Sequence, residues 1–82
     1  MTAKTYVLID VNNGKSEQVV KTLRNKAGVV IIELVEGPPD AVMVVKATER
    51  QELAKLTIAA LLSVEGLTDG VKCLPVIEEG SA

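Results

Sequence analysis

A chain with one cysteine and no histidine has few routes to covalent chemistry, and Cys73 is the only thiol here. A nucleophile needs a base within reach to take its proton, and zinc needs His and Cys donors at set spacings. Neither set can be assembled, so no catalytic residue, metal or cofactor is implied. Cys73 alternates with Lys72 and Leu74 in an apolar run, the setting of a small core or interface residue. Asp10 and Glu33 lie inside runs that read as strands. Facing each other they could work as an acid–base pair; as solvated charges they would only discourage edge aggregation. Lys46 across a hairpin from Glu33 would add roughly a few tenths of a kcal/mol. The stretch "NNGK" from Asn12 lacks the glycine spacing of a phosphate loop.

The most suggestive stretch is "EGPPD", Glu36, Gly37, Pro38, Pro39 and Asp40, set between two apolar runs. Proline cannot donate to a strand ladder, so the chain turns here. Two prolines are a poor choice for the tightest hairpins, which want positive φ. They do fix a loop's shape in advance, which suits a surface that presents groups to a ligand or neighbour. Gly37 admits a close backbone approach. Asp40 can accept from a donor such as an ammonium group, or bond its own loop backbone. Edge protection alone would also explain the prolines.

These residues must be held by a small scaffold. With 82 residues there is one core, expected over 1–78 with 79–82 as a flexible tail. A lone chain of this size buries only about 60–65% of its unfolded surface, and such domains are commonly stabilised by disulfides, metals or self-association. One cysteine and no histidine leave idealised packing or self-association. Hydrophobic residues are 48% of the chain, yet Tyr6 is the only aromatic, which removes base-stacking platforms. A net charge of −2 offers no basic footprint for nucleic acid or an anionic membrane. No stretch reads as a signal peptide or a membrane span, and a cytoplasmic location is expected.

"TYVLIDV" (Thr5–Val11) reads as a strand and "NNG" as a turn. From Ser16 to Ala27 the apolar positions Val19, Val20, Leu23 and Ala27 share a helical face, with Ser16 as N-cap and Gly28 as the stop. Strands follow at Val29–Glu36 and Ala41–Ala47. Thr48 and Gln51 form a capping box for a helix running to about Ser63, and Gly70–Ile77 is the last strand. The order β-α-β-β-α-β is that of an α+β, ferredoxin-like sandwich: a four-stranded antiparallel sheet with two helices on one face.

A sheet covered on one face should alternate apolar and polar residues. These strands do not. Val7, Ile9 and Val11 oppose Tyr6 and Leu8; Val30, Ile32 and Leu34 oppose Val29, Ile31 and Val35; Met43 and Val45 oppose Val42 and Val44. In the second helix Leu53, Leu56, Ala60 and Val64 make a core face, while Ile58 and Leu62 point the other way. Apolar surface of this extent marks interfaces. A second copy on the far sheet face, through Tyr6, Leu8, Val42 and Val44, is the simplest cover, with further assembly through Ile58 and Leu62.

The stretches "YVLIDVNNGKSEQVVKTLRNKAGVV", "VEGPPDAVMVVKA" and "LLSVEGLTDGVKCLPV" resemble the regulatory (RAM) domain of the Lrp/AsnC family of transcription regulators over about Thr5 to Val76. Gly37 and Asp40 fall where that family has its G-x-Y-D loop, with Pro39 in place of Tyr. The chain starts directly on the first strand, so it looks like a stand-alone RAM domain. The resemblance implies a sheet-to-sheet homodimer, assembly of dimers into rings, and an effector such as an amino acid bound between dimers. The site would combine Glu36–Asp40 with the approach to the last strand, Thr68, Asp69 and Gly70. Only Thr68 loosely matches the family's threonines there.

Three classes of function remain, in decreasing order of support. The first is a stand-alone effector-binding and oligomerisation module that senses a small molecule and regulates a partner protein. The second is a purely structural or interaction subunit. An enzyme of the dimeric ferredoxin-like type comes last, because those usually carry His and aromatic residues in a cavity.

Overall fold

The computed structural model describes residues 2–77; the expected tail at 79–82 lies outside the described residues. Strand β1 (Ala3–Val11) is followed by helix α1 (Ser16–Arg24), strands β2 (Val29–Leu34) and β3 (Ala41–Ala47), helix α2 (Arg50–Leu62) and strand β4 (Thr68–Pro75). A single 3-10 turn, Glu65–Leu67, joins α2 to β4. The sheet is antiparallel with order β2-β3-β1-β4, the expected ferredoxin-like arrangement.

Period-two alternation fixes the two faces of the sheet. On the inner face Thr5, Val7 and Ile9 of β1 stand opposite Val45, Met43 and Ala41 of β3, and all six are buried. Val19 and Leu23 of α1 and Leu53, Ala60 and Val64 from α2 and its end close that core. Thr57 is buried with them, its hydroxyl donating to the Leu53 carbonyl at 2.7 Å. A side-chain bond back into the same helix makes such burial tolerable.

Several boundaries differ from expectation for local reasons. α1 stops at Arg24, and Ala27 is exposed rather than on the core face. The Asn25 side chain takes up the Lys21 carbonyl at 3.3 Å, and Gly28 supplies φ +84° for the turn into β2. Ser16 is the first helical residue, not the cap: the Lys15 carbonyl accepts the first helical bond, from Val19. Nor does Thr48 form a capping box. Its hydroxyl donates to Glu52 Oε2 at 3.2 Å, and the cap position falls one residue later, at Glu49.

A bulge overturns the face assignment of β2. Val29 pairs with Val45 and Ile31 with Val44, leaving Val30 as the extra residue. Val29 and Ile32 therefore pack together on the core while Ile31 and Glu33 share the outer face with Val44 and Val42.

Candidate functional site

The two loops singled out by sequence meet at the same end of β1. Asp40 is the link. Its amide donates to the Ile9 carbonyl at 3.0 Å, and its carbonyl accepts the Val35 N–H at 2.9 Å, closing the loop. Its Oδ2 accepts the backbone N–H of Val11 at 2.9 Å. Val11 in turn pairs with Thr68, and Asp10 with Gly70, so Asp69 is the bulged extra residue of β4. Strand β1 thus ends between Asp40 on one side and Thr68–Gly70 on the other.

The backbone that approaches Gly37 is its own loop. A Cβ there would lie 2.5 Å from the Pro39 carbonyl oxygen and 2.9 Å from Asp40 Oδ1, so only glycine allows the loop to fold back on itself. Glu36, Gly37, Pro38 and Asp69 are exposed; Pro39, Asp40, Thr68 and Gly70 are half-buried. A residue that sequence reasoning treated only as turn chemistry, Asn12, ties this end together. Its amide donates to the Leu67 carbonyl at 2.9 Å and its side-chain Nδ2 to the Gly66 carbonyl at 3.2 Å. Its Oδ1 is buried without a partner among the described residues. An Asn directly after a strand was the available signal.

The outer face of the sheet carries two central rows of side chains. One is Ile31, Val44, Tyr6 and Leu74; the next is Glu33, Val42, Leu8 and Lys72. Neither helix covers them. Tyr6 is 39% exposed, Ile31 45% and Leu74 41%, while Val44 at the centre is 6% exposed, shielded by its neighbours. Lys4 and Lys46 pair at one end of this band, the Lys4 ammonium 5.4 Å from the Tyr6 ring centre, and Asp10 lies at the other end.

The register separates the groups that could have formed other pairs. Glu33 stands opposite Val42, and Lys46 opposite Lys4, so no Glu33–Lys46 cross-strand pair exists. Asp10 and Glu33 lie on strands separated by β3, roughly 10 Å across the sheet, too far to exchange a proton directly. Cys73 is exposed rather than in the core, because its partner Val7 is covered by α2 and the edge strand β4 is not. Among the described residues no cluster of three metal-ligating side chains occurs, and no helix is long and apolar enough to cross a membrane.

No protein-family model matches the sequence, and no curated protein matches it significantly. Solved structures do match. TTHA0845 from Thermus thermophilus superposes with a TM-score of 0.85 at 20% identity, over 98% of this chain and 99% of that one. The transcriptional regulator NMB0573 from Neisseria meningitidis, solved as a complex with L-Met, gives a TM-score of 0.76 at 15% identity. The match takes in 98% of this chain and 53% of the regulator, about half its length. What these structures share with the chain is the ferredoxin-like fold. A dimeric protein of ferredoxin-like fold from Bacteroides fragilis is also similar, with a TM-score of 0.58 at 11% identity over 92% of this chain and 94% of that one. At such identities the likeness is one of backbone architecture.

Proposed function

We propose that the chain is a non-catalytic, self-associating regulatory module. It forms a homodimer through the outer sheet face and takes a small-molecule effector such as an amino acid at the loops Glu36–Asp40 and Thr68–Gly70. The observation that carries this reading is the apolar band on the outer face, where Ile31, Tyr6 and Leu74 stand exposed around Val44 and neither helix covers them. Isologous pairing about a two-fold axis is the commonest way to cover such a face. If that axis crosses the strands, the Lys4–Lys46 end of one sheet lies over the Asp10 end of the other, and the charges complement. Ile58 and Leu62, 58% and 62% exposed on the outside of α2, supply a second apolar contact for assembling dimers. The L-Met held by NMB0573 supports an amino acid as the effector class.

A second reading, a purely structural subunit, is favoured by Asp40 itself. One of its two carboxylate oxygens is already spent on Val11, so the loop is closed without a ligand. A panel of amino acids in thermal unfolding separates the two, because a ligand at about 100 times its Kd adds about 2.7 kcal/mol of stability. Sedimentation of Leu8→Asp tests the dimer: the variant should stay folded and become monomeric. Val44→Asp is a less clean probe, since Val44 is already buried within one protomer. A Leu8→Asp dimer would defeat the sheet-to-sheet model. A dimer indifferent to every amino acid would leave the structural reading standing.

A further inference from the structure

The helices leave one strip of the inner sheet face uncovered. α1 packs over β2, and α2 over β3 and β1, so the inward residues of β4, Val71, Cys73 and Pro75, remain exposed. Between that strip and the flank of α2 runs an open groove of about 700 Å³. Its walls are Leu53, Ala54, Thr57 and Leu61 on one side and Cys73 and Pro75 on the other. Volume and lining both fall in the range of small-molecule sites, which run from about 300 to 1,000 Å³ with mostly apolar walls.

Four threonines line the groove, Thr2, Thr5, Thr48 and Thr57, and three of them spend their hydroxyl protons inside the chain. Thr5 donates its hydroxyl to the Tyr6 carbonyl at 3.3 Å, Thr57 to Leu53 at 2.7 Å, and Thr48 to Glu52 at 3.2 Å. With those protons committed, the groove meets Thr5, Thr48 and Thr57 as methyl groups and weak acceptors. Among the described residues three charged ones line it: Lys4, Glu49 and Arg50. The Lys4 ammonium sits over the Tyr6 ring, on the opposite face of the sheet. The cation left at the rim is Arg50, the first residue of α2, beside Glu49 at the cap position. A guanidinium offers a fork of N–H donors that matches a carboxylate in two-point contact.

We propose that this groove binds an aliphatic carboxylic acid, its chain along Leu53, Thr57, Leu61 and Cys73 and its carboxylate on Arg50. The site lies at the Ala3 end of β1, opposite the Asp40 loop at the Val11 end, so it stands or falls independently of the effector reading above.

Three probes with one apolar body and different heads, decanoate, decanol and decylamine, test it by titration calorimetry on the whole chain below their micellar concentrations. Decanoate should bind tightest. Arg50→Gln should weaken decanoate about tenfold and leave decanol unchanged. Ala54→Trp, at an exposed position on the groove wall, should remove both. Cys73→Trp on the opposite wall should do the same should the first variant disturb the helix. Decylamine binding as tightly as decanoate would show that Glu49 sets the head group and overturn the assignment. So would binding untouched by either tryptophan, or no saturable decanoate binding up to about 1 mM. Loss of an oligomer on Ala54→Trp, with no decanoate bound by the native chain, would assign the groove to a second copy instead.

Discussion

Replacing Asp40 by alanine should loosen the end of β1 while leaving the loop backbone in place. The amide and carbonyl of residue 40 keep their bonds to Ile9 and Val35, so the substitution isolates the carboxylate. What it removes is the acceptor of the Val11 N–H, a bond of 2.9 Å beside a residue only 8% exposed. A buried donor left without an acceptor costs about 1–3 kcal/mol. For a domain this small each kcal/mol lowers Tm by about 4–8 °C, so Asp40→Ala should fall by roughly 4–24 °C. Asp40→Asn keeps an oxygen acceptor but loses the charge assistance that makes such bonds about twice as strong, and should lose about half as much. Circular dichroism melts at one fixed protomer concentration measure the shift, since self-association makes Tm concentration-dependent. Amide hydrogen exchange locates it: Val11 should lose protection in Asp40→Ala and keep most of it in Asp40→Asn. An unchanged Tm with Val11 still protected in the alanine variant would refute the argument, because the carboxylate would then not be holding the strand end.

Two further expectations follow from the backbone. Gly14 and Gly28 both have positive φ, +79° and +84°, but a Cβ at Gly14 meets open space while one at Gly28 lies 2.7 Å from Leu56 Cδ1 and 3.2 Å from the Lys46 carbonyl. Gly14→Ala should lose about 1–2 kcal/mol in urea unfolding and Gly28→Ala about 2–4 kcal/mol; equal losses would contradict the crowding at Gly28. Thr57→Val deletes a hydroxyl bonded only to its own helix and should change stability by less than about 1 kcal/mol, with a larger loss showing that the hydroxyl serves another partner.

Much of this architecture was legible in the residue order. Apolar runs at Thr5–Val11, Val29–Glu36 and Ala41–Ala47, punctuated by Asn12–Gly14 and by Gly37–Pro39, marked the strands and turns, the second strand ending two residues sooner, at Leu34, because pleat period and turn chemistry are local properties. The bare outer face was legible too, since Tyr6, Leu8, Val42 and Val44 alternate with core residues along their strands. Three things were decided only by the tertiary structure. The Val30 bulge moved Val29 onto the core beside Ile32, and a bulge is settled by packing against neighbours, which strand periodicity does not contain. Asp40 reached across to Val11, 29 residues earlier in the chain, a pairing fixed by strand order rather than by anything within the loop. Cys73 ended exposed in a groove. Its alternation with Lys72 and Leu74 says which way it points, but whether a helix lies over an edge strand depends on where two helices can sit on four strands.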